Sequence, residues 1–310
     1  MPRSRSGSTR RDGAATLATG TVVAVFGRRY ETLADDGRRY DCVSRGKKHV
    51  AVCGDRVAFA PTGDGGAVIE RVLERRNYLE RADAWKRKGI AANIDQVLLL
   101  AAVEPRASEE FLARVLAIAG AAGVPTLLAL NKVELPGADA ARARLAPFIA
   151  AGHELVEFSA RPREGSAPSA RAVLGPRLTG RCTVLVGQSG MGKSSLVNAL
   201  APDAGAVTGE LSSALASGRH TTTFSRLYRI DAGSTLIDCP GMQEVGIHHV
   251  SRRELEASFP EFAAHLGHCR FANCRHDQEP GCALRARLAD GGVSAARLAL
   301  FVKLAQEAAA

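Results

Sequence analysis

Eight residues constrain this chain more than any others. Gly187-Gln188-Ser189-Gly190-Met191-Gly192-Lys193-Ser194 follows the apolar run TVLV and opens the helical pattern SSLVNAL. Glycine at the first and sixth positions, then Lys and Ser, is the spacing of a loop whose backbone N–H groups curl around phosphate oxygens. The helix that follows adds partial positive charge at its N-terminus. Lys193 is expected to reach the β- and γ-phosphates and Ser194 to meet Mg²⁺, with Ser195 a further nucleotide-binding residue. A glycine-rich turn that merely contains Gly-Lys-Ser is the alternative, and the strand–loop–helix context speaks against it. Such a loop requires a parallel sheet covered by helices.

The rest of the chain supplies that sheet. Val97–Val103 and Thr126–Leu130 are solid apolar strands, and Leu155–Phe158 is a third. They alternate with helical stretches over Ser108–Ala122 and 139–150, while 161–180, rich in Arg, Pro, Ser and Gly, is expected to be a loop. Downstream, Thr235-Leu236-Ile237-Asp238-Cys239-Pro240-Gly241 is a short strand ending in D-x-x-G. Asp238 is placed to hold Mg²⁺ through water, and the Gly241 N–H to sense a γ-phosphate. Between the two elements lies Gly218-Arg219-His220-Thr221-Thr222-Thr223, from which Thr222 is expected to join the Mg²⁺ sphere.

Asn131-Lys132-Val133-Glu134 closes the run PTLLAL and is similar to the N-K-x-D element of GTPases. There a carboxylate accepts from guanine N1–H and the 2-amino group, a donor pair that adenine lacks, so the wrong base leaves a buried acceptor unpaired. Glu134 stands in the acidic position; its extra methylene requires a small backbone retreat, and guanine preference is expected to survive it. Ser159-Ala160 ends the next strand and matches the element that supports the base with a backbone N–H. The base-reading residues precede the phosphate-binding ones, the reverse of the usual chain order. A circularly permuted chain builds the same pocket, since a site in space does not depend on chain order.

Charge is unevenly spread. The net +9 arises mainly in residues 1–90, where 19 Lys and Arg face 11 Asp and Glu; residues 91–250 balance at 14 each. A basic region of this kind suits a phosphate backbone, the alternative being a solvated surface. Residues 1–18 read as a disordered basic tail. Residues 19–77 carry short β-type runs (GTVVAVFG, RRYDCV, HVAVCGDRVAFA, AVIERV) between turn clusters, about five strands, which fits a small OB-type barrel that binds RNA. Phe26, Tyr30, Tyr40 and Phe59 are candidate stacking faces, though such aromatics more often fill a barrel interior. Residues 78–92 read as a basic linker, 93–248 as the nucleotide domain, and 249–310 as a small helical unit.

The composition, 46% apolar and 24% charged, is that of a folded chain rather than a disordered one. The longest apolar run has seven residues, far short of the about 18 that span a bilayer. No apolar core follows the N-terminal arginines, so neither a leader nor a membrane contact is expected, and the expected compartment is the cytoplasm. The seven cysteines do not suggest a disulfide framework. Cys269-x4-Cys274-x-His276-x5-Cys282 offers three thiolates and one imidazole, a closed tetrahedral set suited to one structural Zn²⁺. The remaining four, Cys42, Cys53, Cys182 and Cys239, sit in apolar runs as small core residues.

Taken together, the OB-like domain, the order NKVE, SA, GQSGMGKSS, GRHTTT, DCPG, and the segment CRFANCRHDQEPGCA resemble the RsgA (YjeQ) family of circularly permuted GTPases that depend on the small ribosomal subunit. The resemblance covers about residues 19–310. It implies GTP hydrolysis, slow alone and stimulated by the 30S subunit, in late maturation of that subunit, with contacts to 16S rRNA and release of assembly factors. It also implies a cytoplasmic monomer with one zinc. Met242 stands where many GTPases place a water-orienting glutamine, so unaided turnover on the order of 10⁻⁴–10⁻² s⁻¹ is expected. His220 is the candidate for positioning the water, its alternative being a surface histidine that only contacts RNA. Two other readings stay open at this point: an ATP-driven nucleic-acid remodeller, against which NKVE argues, and an RNA-binding protein with a vestigial nucleotide site.

Overall fold

Alternation of apolar and polar side chains shapes the first unit. β1 (Ala18–Phe26), β2 (Arg29–Ala34), β3 (Arg39–Ser44), β4 (Arg56–Gly63) and β5 (Gly66–Val72) pair in the order β1-β2-β3-β5-β4, and β1 also pairs with β4, which closes a barrel. Val22, Tyr30, Cys42, Val57, Phe59 and Ile69 fill its interior. Tyr30 and Phe59 are thus packing residues rather than faces for bases, being 2% and 0% exposed. Phe26 is half-exposed and stacks on Phe224, with centroids 5.2 Å apart. The protein is described here by a computed structural model that covers residues 17–45, 50–162, 167–202, 224–239, 242 and 244–308; most of the expected tail lies outside it.

Where a linker was expected, residues 78–92 form a hairpin, β6 (Tyr78–Asp83) with β7 (Lys86–Ala92). Its inner face is built from Leu79, Ala82 and Ile90, all buried, while Lys86, Arg87 and Lys88 lie on the exposed side of the turn. The alternation is genuine, but charged residues occupy so many outward positions that the run reads as a polar segment.

The nucleotide domain is a six-stranded run of the same sheet. β8 (Gln96–Ala102), β9 (Thr126–Asn131), β10 (Leu155–Phe158), β11 (Cys182–Val186), β12 (Ser225–Arg229) and β13 (Thr235–Asp238) lie in the order β10-β9-β8-β11-β13-β12, all parallel except β12. Helices cover both faces, α1 (Glu109–Ala121) and α2 (Ala138–Ala150) on one, α3 (Ala170–Leu178) and α4 (Lys193–Leu200) on the other. Successive β8 residues face opposite layers, Val97, Leu99 and Ala101 toward α1, Leu98, Leu100 and Ala102 toward α3 and α4. That two-sided burial is why the strand is apolar throughout. α3 falls in the segment expected to be a loop. Gly175 and Pro176 obscure it, yet Ala170, Leu174 and Leu178 recur at four-residue intervals and are all buried.

Two junctions tie the units together. Across the first, β12 pairs antiparallel with β1 (Ala24 with Arg226, Val25 with Ser225), so the barrel continues the sheet. The second involves α5 (Arg252–Ala257), a 3-10 turn (Pro260–Phe262), α6 (Ala283–Ala286) and α7 (Ala295–Ala305), which make up the C-terminal unit. Its Phe259, Phe262 and Phe301 share one apolar cluster with Phe111, Leu112 and Phe148 of α1 and α2. The Arg297 guanidinium lies between the rings of Phe148 and Phe259, at 4.6 and 4.3 Å. Among the described residues no helix is long and apolar enough to cross a membrane.

Asp55, fully buried, ties the chain that leaves the barrel back against it, accepting from Arg75 Nε (2.7 Å) and Nη2 (2.8 Å) and from the Val52 N–H (2.8 Å). Breaking a buried pair leaves a charge uncompensated, at a cost of about 3–5 kcal/mol. Arg75 is still 26% exposed, so the loss for Asp55→Asn is expected at about 2–3 kcal/mol. Urea unfolding checks it; an unchanged midpoint would show that the pair carries no stability.

Candidate nucleotide site and metal centre

The phosphate loop joins β11 to α4, and its backbone is shaped by glycine. Gly190 and Gly192 have φ of 80° and 94°, and a Cβ on Gly192 would lie 2.4 Å from Asn131 Nδ2. Only a residue without a side chain lets the two segments approach this closely. Lys193 Nζ donates to the carbonyls of Gly187 (2.7 Å) and Gln188 (2.9 Å), folding the ammonium back over its own loop. Burial lowers the Lys193 pKa and the Asp238 carboxylate opposes that shift. Ser194 and Ser195 are half-buried in the first turn of α4.

The residues expected to read the base reach the same place from the other half of the sheet. Asn131, at the end of β9, is buried; its Nδ2 donates to the Met191 carbonyl (2.9 Å), and its Oδ1 accepts from the N–H of Lys132 (2.8 Å) and of Ala160 (2.9 Å). Lys132, at a left-handed φ of 64°, extends its ammonium to the carbonyls of Gly190 (2.9 Å) and Glu104 (2.7 Å). Ser159 is buried and accepts from the Arg161 N–H (3.2 Å). Glu134 Oε2 is buried without a partner among the described residues. An orphaned acceptor costs about 1–3 kcal/mol unless a ligand donor meets it, which suits the two guanine donors.

Asp238 ends β13, in parallel register with Leu185 of β11, and its Oδ1 is likewise buried and unpartnered among the described residues. Desolvation raises its pKa, with Lys193 opposing. A buried carboxylate oxygen without a partner fits a hydrated divalent cation. Thr222, His220 and Gly241 lie outside the described residues, as does Gln243. Met242 is buried in the apolar core, which leaves it no water to orient. The Cys239 thiol, also buried, is pushed up to about 12 by desolvation and remains a neutral core group.

One part of this neighbourhood has no motif to announce it. The Glu104–Pro105 turn after β8 supplies the carbonyl that holds Lys132, and a Cβ on Gly190 would lie 2.9 Å from the Pro105 ring. The signal available was topological: β8 and β11 are adjacent and their connections leave in opposite directions, and ligands bind at such a switch point.

The second cluster lies in the C-terminal unit. The ligand atoms of Cys269, Cys274, His276 and Cys282 all fall within 4.8 Å of one another. His276 Nδ1 sits 3.5 Å from Cys269 Sγ and 3.4 Å from Cys282 Sγ, and the residue is held in a left-handed turn with φ of 63°. The Ala283 N–H donates to Cys269 Sγ (3.3 Å). Three sulfurs and one nitrogen at this spacing fit a closed four-coordinate metal and leave no open position for catalysis.

The phosphate loop, the Asn131 turn and Asp238, at the ends of neighbouring parallel strands, define a P-loop GTPase domain in permuted chain order, with a barrel before it and a helical unit bearing a Cys/His cluster after it. Residues 72–248 match the family model described as RsgA GTPase. The "Small ribosomal subunit biogenesis GTPase RsgA" of Burkholderia pseudomallei (strain K96243) is 49% identical over 94% of this chain and 92% of its own. The protein of the same name from Ralstonia nicotianae is 46% identical over 98% and 96%. Among solved structures, YjeQ from Thermotoga maritima has a TM-score of 0.67 at 28% identity, covering 94% of this chain and 98% of that one. YloQ, described as a circularly permuted GTPase, shares the fold with a TM-score of 0.64 at 24% identity, covering 96% and 97%. The chain belongs to the RsgA GTPase family, and its activity is the hydrolysis of GTP.

Two outcomes follow from the site. The folded state raises the pKa of Asp238, so it holds that proton more tightly than the unfolded chain does. The ionised carboxylate therefore opposes folding, fully so once the pH exceeds the folded pKa. Asp238→Asn is expected to raise the nucleotide-free melting temperature at neutral pH by about 2 °C while weakening Mg²⁺-dependent GTP binding; a lower melting temperature would contradict the sign. Removing metal with a chelator is expected to unfold the 269–282 segment, read as lost helical circular dichroism and newly reactive thiols, and an unchanged spectrum would sink the structural-metal reading.

Proposed function

We propose that this GTPase assists late maturation of the 30S ribosomal subunit. In this reading it binds 16S rRNA in its GTP state, hydrolyses GTP slowly alone and faster on the subunit, and leaves with GDP as assembly factors are released. It would act as a cytoplasmic monomer carrying one structural Zn²⁺. The observation that carries the reading is the 49% identity, over nearly the whole length of both chains, to a protein named for small-subunit biogenesis.

The surface supports an RNA partner. Trp85, the chain's one tryptophan, is 96% exposed at the tip of the β6–β7 hairpin, next to Lys86, Arg87 and Lys88. An aromatic face flanked by cations suits an unpaired base and its backbone, and stacking of this kind is worth about 1–3 kcal/mol per base. Within the pocket, the proposed roles are those of the sequence motifs. Gly187, Gln188, Ser189, Gly190, Met191, Gly192 and Lys193 cradle the phosphates, and Asn131, Lys132, Glu134, Ser159 and Ala160 hold guanine. Ser194, Thr222 and Asp238 hold Mg²⁺, Gly241 meets the γ-phosphate, and His220 orients water. Bound with GTP, Mg²⁺ neutralises charge that develops on the phosphates.

Phosphate release measured with and without 30S subunits tests the proposal. A rise of tenfold or more is expected, absent in Lys193→Ala, and Trp85→Ala should raise the subunit concentration needed for half-maximal stimulation. Equal rates with and without subunits would refute it.

A further inference from the structure

The first half of the phosphate loop is backed by β8 and the turn that leaves it. A Cβ on Gly187 would lie 2.8 Å from the Leu100 carbonyl oxygen, and one on Gly190 would lie 2.9 Å from the Pro105 ring. Between them stands Gln188, at a position the loop motif leaves open. Its Oε1 accepts from the Ser108 N–H at 2.8 Å. Ser108 is the N-cap of α1, and its hydroxyl accepts from the Phe111 N–H (3.3 Å). In a capping box the third helical residue is Glu or Gln and reaches back to the N-cap N–H. Here that position holds Phe111, which is buried in the core, so the box is completed by a side chain 80 residues away. α1 is a firm post for the purpose. Phe111 and Leu112 share the apolar cluster of Phe259 and Phe301, and Arg114 bonds Glu110 one turn back (2.8 Å).

We infer that the Gln188 side chain is a positioning group for the nucleotide phosphates: it pins the first half of the loop to the N-terminus of α1, and so fixes the carbonyl on which the Lys193 ammonium rests. The inference rests on the proposed role of residues 187–193 as the phosphate cradle. Lys193 Nζ donates to the carbonyls of Gly187 (2.7 Å) and Gln188 (2.9 Å), so the bond from Ser108 and the bond from Lys193 meet in one residue. Pinning matters because three of the eight loop residues are glycine, the residue with most conformational freedom to lose. A loop that holds its binding shape for only part of the time binds more weakly by that fraction. The second half has its own anchors, since Asn131 holds the Met191 carbonyl (2.9 Å) and Lys132 the Gly190 carbonyl (2.9 Å). Gln188 is the corresponding side-chain anchor of the first half. Ser108 and Gln188 line a cavity of about 470 Å³ where water competes, so the effect has the scale of one neutral hydrogen bond. GDP and GTP offer this half of the loop the same α- and β-phosphates, so both should feel the loss.

Binding of fluorescent GDP to the full-length, metal-loaded protein tests it. Gln188→Met keeps the length of the side chain and removes the acceptor. Affinity for GDP and for a non-hydrolysable GTP analogue is expected to fall alike, by about fivefold. Ser108→Pro removes the donor, at a residue whose φ of -71° proline already favours. It should lose the same factor, and the Gln188→Met, Ser108→Pro double variant no more than either alone, the signature of one shared bond. Ser108→Ala keeps the N–H and loses only the hydroxyl cap; it should lower the melting temperature while GDP affinity stays within about 1.5-fold. Unchanged affinity in Gln188→Met, a loss confined to the GTP analogue, losses that multiply in the double variant, or an equal loss in Ser108→Ala would each overturn the inference. Lys193→Ala separates it from the reading beneath. If that variant binds GDP normally, the loop is not the phosphate cradle; if it binds poorly while Gln188→Met binds normally, only the positioning role fails.

Discussion

The site depends on the carboxamide of Asn131. One face donates to the Met191 carbonyl in the phosphate loop and the other accepts from the Ala160 N–H in the loop after β10. A single buried side chain thereby joins its own segment to two others, 29 and 60 residues distant along the chain. Buried amides hold such positions because each unmet bond would carry a desolvation cost. This is the physical content of circular permutation here: the connections between strands have been rearranged, while the hydrogen bonds that fix the pocket are independent of them.

Much of this was legible from residues alone, for different reasons. The phosphate loop was readable because its spaced glycines, Lys and Ser fall in one contiguous stretch of sequence, and Asp238 and Asn131 because each ends an apolar strand at a recognisable motif. The Cys/His cluster was readable from spacing. The barrel showed in its alternation, though β2 (Arg29–Ala34) is too polar to register, and within HVAVCGDRVAFA the strand β4 begins only at Arg56, with the Val52 N–H before it held by Asp55. The hairpin and α3 escaped because outward charges in one, and Gly175-Pro176 in the other, hide an apolar stripe of three residues. The strap over residues 244–248, bonded to the hairpin on one side and to Glu307 on the other, was illegible in principle. Main-chain groups make most of its bonds, to partners 60 and more residues away, and a backbone carries no sequence signature.

The strap is where units from opposite ends of the chain meet. The hairpin presents Trp85 outward and holds Glu244 and Gly246 inward; the C-terminal unit holds its Cys/His cluster at one end and Ile247 at the other.

The pairing of β1 with β12 has a consequence for anyone dissecting the molecule. An open strand edge presents a row of unsatisfied N–H and C=O groups, a template for other chains. Here the barrel shields the outermost strand of the catalytic sheet, with Phe26 laid over Phe224 beside it. Cutting the barrel away would bare both the strand and the aromatic ring, leaving a fragment prone to self-association, whose sluggish behaviour could be mistaken for a loss of chemistry. The barrel is thus a guard for the enzyme's flank.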